Sequence, residues 1–450
     1  MKPLILDIDD SALRATDNGQ LVGEESGFAL LDGNRVERVG RGAERMSKLH
    51  PRRIQNDFWY RLSGELLKGH EPLTRADIAS AQIAALLPPE RFDGRDVVLI
   101  LPSYLGRDTL ALLLGVVQAN GLRPIAMVDA AVAATRHRYV DQVALHIELS
   151  LHCAWVARLH QTESRSTLED VRSLEASGLL ALREAWLKFF AEQFVRQCRF
   201  DPLHSAQSEQ ALYDKVPDWL ALLESQPSST LTFDLGGVSH SIDVERVDVI
   251  NRVANHYQRI ADMVRAMLAG GDTPALQMTL GISALPGFAE LLTARVGGNY
   301  HVVADQASID GISDRLPKVV LDAGRVMRDL PNEGETALAV PLAPTNGAAP
   351  THILLDERAF ALSEKPLTVG AGSASPPPRY LQLEGAPAGV SGLHCEFVIR
   401  DGQCLLLDHS RYGTFLNGNR ISASAALRTG DTVRVGTPGM ILQLIRAEAL

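Results

Sequence analysis

The sequence predicts a multidomain chain: an α/β region over residues 1–330, a flexible linker over 331–350, and an all-β sandwich over 351–450. Three observations lead there. At 450 residues the chain exceeds what one ordinary core holds. Before residue 330, strand-like runs alternate with helical patterns, the signature of α/β architecture. After residue 350, short β-rich runs are separated by turn residues, as in a sandwich. Between the two lies PNEGETALAVPLAPTNGAAP, rich in Pro, Ala, Gly and Asn and without periodicity.

Taken in order, LILDI and DVVLILP read as buried strands, and RDTLALLLGVVQANG as a helix ending at Gly121. Residues 166–226 carry apolar positions three and four apart and read as amphipathic helices. STLTFDLGGVSHSIDVER follows as a hairpin, and RVDVINRVANHYQRIADMVRAML as another long helix. Past the linker, HILLDERAFAL, YLQLEG, CEFVIRDGQCLLLD, TFLNGNRIS and DTVRVGTPGMILQLI are the strands of the sandwich. No internal repeat is visible.

Composition narrows the function classes. Hydrophobic residues make up 46% and charged residues 22%, the balance of a globular protein. No apolar run approaches the roughly 18 residues of a membrane span, and MKPLILDIDD lacks the features of a signal peptide, so a cytoplasmic protein is expected. The net charge of −10 falls entirely in the first 350 residues, because the last hundred hold nine basic and nine acidic side chains; neither part offers a basic footprint for nucleic acid. Cys153, Cys198, Cys395 and Cys404 show no zinc or redox spacing. A two-residue hairpin at Asp401-Gly402 would set Cys404 opposite Ile399, not opposite Cys395. P-loop, Rossmann, serine-hydrolase and zincin motifs are all missing.

The stretch VSGLHCEFVIRDGQCLLLDHSRYGTFLNGNRIS, followed by LRTGDTVRVG, resembles the forkhead-associated (FHA) pattern: a Ser-x-x-His pair, a hairpin, a Ser-x-x-Gly-Thr loop and an Asn-Gly turn. The resemblance implies apical loops that hold a phosphothreonine peptide, with an Arg and the Ser of Ser-x-x-His on the phosphate and an Asn on the peptide backbone. The chemistry is charge-assisted hydrogen bonding. Ser391 and His394 are kept, as are Thr414 and Asn417. The Gly-Arg position, however, is Gly370-Ala371, and Tyr412 replaces the loop Asn. Arg411 and Arg379 remain as nearby sources of positive charge. The expected contact is therefore a protein partner met by Ser391, Arg411, Tyr412, Thr414 and Asn417, with phosphate dependence open.

Residues 1 to about 325 resemble, in the order of five segments, the two-lobed nucleotide-binding domain of the actin and DnaK-type chaperone superfamily. LILDIDDSALRA is similar to the first phosphate strand and turn, and VVLILPSYLGRDTLALLLGVVQANGLRPIAMVDAAVAATRH to the chaperone segment that follows. ALHIELSLHCAWVARL is similar to the second phosphate hairpin, and QMTLGISALPGFAELLTARV to the adenosine turn. The resemblance implies ATP with magnesium, two Asp-x-Gly loops around the phosphates and an ATPase activity. Asp7, Asp129 and Glu148 stand at acid positions, Asp7 and Glu148 being the metal ligands if nucleotide is bound. Asp10, Ser11 and Gly281 stand at nucleotide-contact positions.

Departures weigh against that chemistry. Asp9 takes the place of the first loop's small residue, where a carboxylate repels phosphate. The second hairpin reads Ser150-Leu151-His152 where glycines would let backbone N–H groups approach. Lys48, Arg52 and Arg53 lie in the region from which the family's catalytic lysine comes, without a clear alignment. Phe233-Asp234-Leu235-Gly236-Gly237 looks like a phosphate loop in isolation, yet its position makes it a structural hairpin. The sequence thus points to a noncatalytic scaffold or assembly adaptor joining a pseudo-ATPase domain to an FHA-like module. A divergent chaperone-like ATPase and a phosphothreonine reader are the alternatives.

Overall fold

The chain opens on β1 (Leu4–Asp7), four buried residues whose backbone pairs antiparallel with β2 (Leu13–Asp17), which in turn pairs with β3 (Gln20–Glu25). A small sheet follows, β4 (Ala29–Asp32), β5 (Arg35–Val39) and β6 (Ile54–Gln55). β7 (Asp96–Leu101) then lies parallel to β1, and β8 (Arg123–Asp129) parallel to β7. Helices Arg75–Leu86 and Arg107–Ala119 cover one side, the first opened by a Thr74/Asp77 capping box.

The same arrangement recurs. β9 (Val143–Leu149), β10 (Cys153–Gln161) and β11 (Arg165–Glu175) form an antiparallel meander, and β14 (Pro274–Thr279) and β15 (Asn299–Val303) add parallel strands on the far side of β9. The first five strands to enter each six-stranded sheet therefore read third, second, first, fourth, fifth in order of entry. The second carries a large apolar core built by helices Leu179–Cys198, Ala206–Ser225 and Arg246–Arg265, including Trp186, Phe190, Phe194 and Tyr257. Between its helices sits the hairpin β12 (Ser228–Leu235) and β13 (Val238–Glu245). Gly236 and Gly237 turn it with φ of 59° and 82°, which only glycine adopts freely; FDLGG is a structural turn.

Residues of both sheets, with the short helices Ala130–Ala134 and Ala307–Arg315, form one further core. Finally β16 (Val326–Met327) adds a parallel edge to β8, and β17 (Asp329–Pro331) an antiparallel edge to β11.

Two expectations are corrected. The helical reading of 166–226 fails at its start, because Arg165–Glu175 is a strand. A bulge opposite Arg158/Leu159 pairs Leu168 with Leu159 but Val171 with Ala157, so two apolar residues on one face stand three apart and imitate helical spacing. The expected linker also begins too early. Pro331 belongs to β17, Asn332 donates to Thr162 O at 2.9 Å and accepts from Ser166 Oγ at 2.6 Å, and Glu333 takes Arg136 in an ion pair at 2.5 Å.

The computed structural model resolves into two units, Met1–Thr336 and Ala337–Leu450. It describes residues 2–334 and 350–445, the latter without 356–357, 364, 374, 384–388, 401–402, 412, 417–418, 422, 428–430 and 437–438. The second unit is a sandwich. One sheet runs β19 (Arg358–Ala361), β18 (His352–Leu355), β28 (Gly439–Ile445), β27 (Thr432–Gly436), β24 (Thr414–Leu416), β25 (Asn419–Arg420). The other runs β21 (Tyr380–Gln382), β20 (Leu367–Gly370), β22 (Cys395–Arg400), β23 (Gln403–Asp408), β26 (Ser424–Leu427). Val369, Phe397, Leu406, Val433 and Leu442 fill the space between them. Ile399 pairs with Cys404 as expected, and both Cys395 and Cys404 are buried free thiols.

Candidate functional site

In the first unit the ends of β1 and β9 and the segment Thr279–Leu285 surround a cleft of about 340 Å³. Its floor is charged, with Asp7, Asp9, Arg14 and Glu148; its walls include Trp155, Trp186, Leu220 and Leu285. Asp7, 5% exposed, accepts a hydrogen bond from Ser308 Oγ at 2.7 Å, and burial pushes its carboxyl up to about 6. Glu148 accepts from Leu149 N at 3.2 Å and Thr279 Oγ1 at 3.4 Å; burial, and next the charge of Asp9, push it well above the usual carboxylate range. Asp9 is raised by burial as well, while accepting from Ser11 N at 2.7 Å and Ser150 Oγ at 3.3 Å.

The structure brings Asp7 and Glu148 together at this cleft but leaves Asp129 off its lining. Asp129 is consumed locally: it caps helix Ala130–Ala134 through Val132 N at 3.1 Å and accepts from Ser103 Oγ at 2.9 Å, burial raising its carboxyl to about 6. Among the described residues no group of three or more His, Cys, Asp or Glu is arranged to hold a metal ion. Ser11 and Gly281 line the cleft, the latter donating its N–H to Asp305 Oδ1 at 2.8 Å. Asp10 does not line it. Buried at 2% exposure, it accepts Leu151 N at 2.7 Å, and its second oxygen has no hydrogen-bond partner among the described residues.

The turn between β9 and β10 is engaged on every side. Leu151 packs against Phe28, Leu30 and Ala43, and His152 bonds Asn56 O at 2.8 Å and stacks on Tyr60. Leu179 N and Leu180 N donate to the carbonyls of Ser150 and Leu151 at 2.9 and 3.0 Å. A Cβ at position 178 would lie 2.4 Å from Ser150 O, so only Gly178 lets the next helix approach. None of Lys48, Arg52 and Arg53 lines the cleft. Lys48 instead pairs with Glu184 and, at 3.7 Å, with Glu209; Arg53 donates to Leu31 O at 2.7 Å and pairs with Glu37. Beside Lys48, Glu44 takes Arg183 at 2.8 Å and Tyr213 OH at 3.4 Å, tying residues 41–48 to the second helical layer.

In the second unit, β20, the loop before β22 and the loop after β23 converge on His394, which is fully buried. Its Nδ1 accepts Ser391 N at 3.0 Å and its Nε2 donates to Gly413 O at 3.1 Å; burial lowers its basicity. Thr414 Oγ1 and the backbone N–H of Ser410 both donate to Asp408 Oδ1, at 2.7 and 3.0 Å; burial pushes Asp408 up, but these bonds together hold it below its usual value. Gly370 is required where it stands, because a Cβ there would fall 2.0 Å from Gly392 O.

Residues 368–436 match the family model of the FHA domain. This FHA domain covers the Ser391–His394 and Asp408–Thr414 loops, and no curated protein matches the chain. Within it Ser391 Oγ accepts the backbone N–H of exposed Arg411 at 3.2 Å. Arg379 does not supply charge to Ser391 as expected; its guanidinium bonds Ser363 Oγ at 2.5 Å, Lys365 O at 2.6 Å and Ala361 O. Following Pro376–Pro378, it braces the loop between β19 and β20. Thr414, with no exposed surface, is a framework residue and not a contact. Tyr412 and Asn417 lie outside the described residues.

Sequence reasoning missed Arg14, Trp155, Trp186, Asp305 and Ser308 as cleft residues. Trp155 and Trp186 follow strand and helix spacing like any core residue, and nothing local sets them apart.

Proposed function

We propose that the chain is a noncatalytic interaction scaffold, in which a two-lobed domain of the actin and DnaK type has given up triphosphate and an FHA domain meets a protein partner. The observation that carries this reading is the Leu151 N–H, spent on Asp10 at 2.7 Å. In the family resembled, backbone N–H groups of that hairpin face phosphate; here an internal carboxyl takes one of them. Support for the two-lobed assignment comes from the two sheets, whose first five strands share one order of entry. The ion pairs of Lys48 with Glu184 and Glu209 argue the same way, since they engage the lysine that lies in the region of the family's catalytic one.

Calorimetry of the full chain with ATP and magnesium tests it. Little or no binding is expected, and a Kd below about 10 μM, near −7 kcal/mol, overturns the reading in favour of a divergent ATPase. For the FHA domain, partner binding is expected to survive phosphatase treatment of the partner and the Ser391→Ala change within about threefold. Loss under both treatments marks a phosphothreonine reader instead.

A further inference from the structure

We infer that the outer edge of β11 takes an extended segment of a protein partner as an added antiparallel strand, with an acidic residue at the C-terminal end of that segment meeting Arg328. This goes beyond the scaffold reading, since it lies in the first unit and asks nothing of the FHA domain.

The backbone comes first. Ser150 N donates to Cys153 O at 3.0 Å, so along β10 the backbone groups of the odd-numbered residues face β9 and those of the even-numbered residues face β11. The partners of the even-numbered ones are Asp170, Arg172 and Leu174, which leaves Val171, Ser173 and Glu175 with N–H and C=O directed away from β10. On the other side of the bulge the same outward edge is already in use: Ser166 pairs with Leu330 of β17, and Leu168 N donates to Arg328 O at 2.8 Å. β17 is three residues long against eleven for β11, and the chain on the other side of Arg328 belongs to β16. Asp170 Oδ1 caps the Val171 N–H at 2.9 Å; among the described residues Ser173 N and Glu175 N donate to no group. Such an edge is a template for one more strand.

Room and charge select the occupant. A groove of about 380 Å³ lies beside this edge, walled by Val171 and Ser173 on one side and by Ser103, Tyr104 and Leu105 on the other, with Arg328 in its lining. Past the groove the Glu175 carboxyl is hydrogen-bonded to Tyr60. From Val171 to Glu175 the edge spans about 16 Å, the length of a segment of about five residues. The acids of the lining have partners: Glu169 takes Arg158 at 2.9 Å and Asp170 takes Arg172 at 3.4 Å. Arg328 is exposed, and among the described residues its guanidinium has no ion pair and no hydrogen bond. Its charge acts on buried Asp129 from a distance, that carboxyl being held by Ser103 Oγ and Val132 N. β17 runs antiparallel to β11, and a strand of the same direction laid from Glu175 toward Val171 brings its C-terminal residue to Arg328. A carboxylate there forms a charge-assisted pair, and a basic residue is repelled.

Calorimetry of the whole chain with the peptide acetyl-Thr-Val-Thr-Val-Glu-amide tests the inference, against the same peptide ending in Lys and one with Glu moved to the first position. The Glu-ended peptide is expected to bind with a Kd of about 1 mM or below and at least about fivefold more tightly than either match, and to slow hydrogen exchange over residues 171–175. Arg328→Ala is expected to erase the preference for Glu over Lys. Ser173→Pro removes an N–H that serves no internal bond, and is expected to weaken the Glu-ended peptide at least about tenfold with the near-UV circular dichroism unchanged. No binding up to about 5 mM, equal affinity for the three peptides, or unchanged affinity in both variants overturns the inference, the last by assigning the peptide to another surface such as the FHA domain. A chain that sediments as a dimer until Ser173→Pro makes it a monomer gives the edge to a second copy and overturns it too. The three-peptide comparison on the unaltered chain decides the matter even if a variant fails to fold, and none of these results depends on whether ATP binds.

Discussion

The cleft of the first unit and the apex of the FHA domain differ in how their polar groups are settled. At the apex, His394, Asp408 and Ser410 are bonded within the domain, largely to backbone groups of its own loops, and Arg379 likewise braces a loop. In the cleft, Asp7, Asp9 and Glu148 share the influence of Arg14 with no Lys or Arg among the described residues in ion-pair contact, and each is pushed upward by burial. The lesson is that clustered polar groups settle in two ways: one is a closed hydrogen-bond network that rigidifies a surface, the other a set of carboxyls that burial holds above their ordinary range.

The largest effect that sharpens this contrast is expected at the apex. His394→Ala strands the Ser391 N–H and the Gly413 carbonyl inside the domain, and should lower stability by about 2–4 kcal/mol in chemical denaturation. A loss below about 1 kcal/mol would mean the apex is not closed in the sense described.

In the cleft the sign reverses. Asp7→Asn removes a carboxyl held near 6 while keeping an oxygen for Ser308, and should stabilise the first unit by about 1–3 kcal/mol at pH 7.5. Because the folded value lies above the unfolded one, near 3.8, the wild-type chain recovers stability as pH falls through 6. The advantage of the variant should therefore shrink to little below about pH 4. A destabilised variant at pH 7.5, or a pH-independent difference, breaks the comparison.

The smallest effect belongs to Ser391→Ala. Among the described residues its hydroxyl accepts the N–H of exposed Arg411, a group that water can satisfy, so the melting curve should move by less than about 1 kcal/mol. A larger loss would place Ser391 inside the closed network.

How much of this was legible in the sequence follows the same division. The FHA domain was readable because its signals are local: turn residues and strand alternation fix partners such as Ile399 with Cys404, a few positions apart. The cleft depends on meetings across 141 residues for Asp10 with Leu151 and 301 for Asp7 with Ser308, which no spacing rule encodes. The sequence did mark Asp9 and Ser150-Leu151-His152 as unfit for phosphate, but not that Asp10 would fill the vacancy. The bulge in β11 hid a strand behind helical spacing, and the duplicated strand order left no repeat in the residues.

The segment Val326–Pro331 leaves no slack between the two sheets. β16 ends at Met327 and β17 begins at Asp329, so Arg328 alone separates an edge of one sheet from an edge of the other. Two Cα steps of extended chain span only about 7 Å, too little to absorb a hinge. Any swing of one sheet away from the other must unzip β16 from β8 or β17 from β11 first, so the backbone amides of this short strap would exchange with solvent before any wider opening, making them the natural gauge of movement between the two sheets.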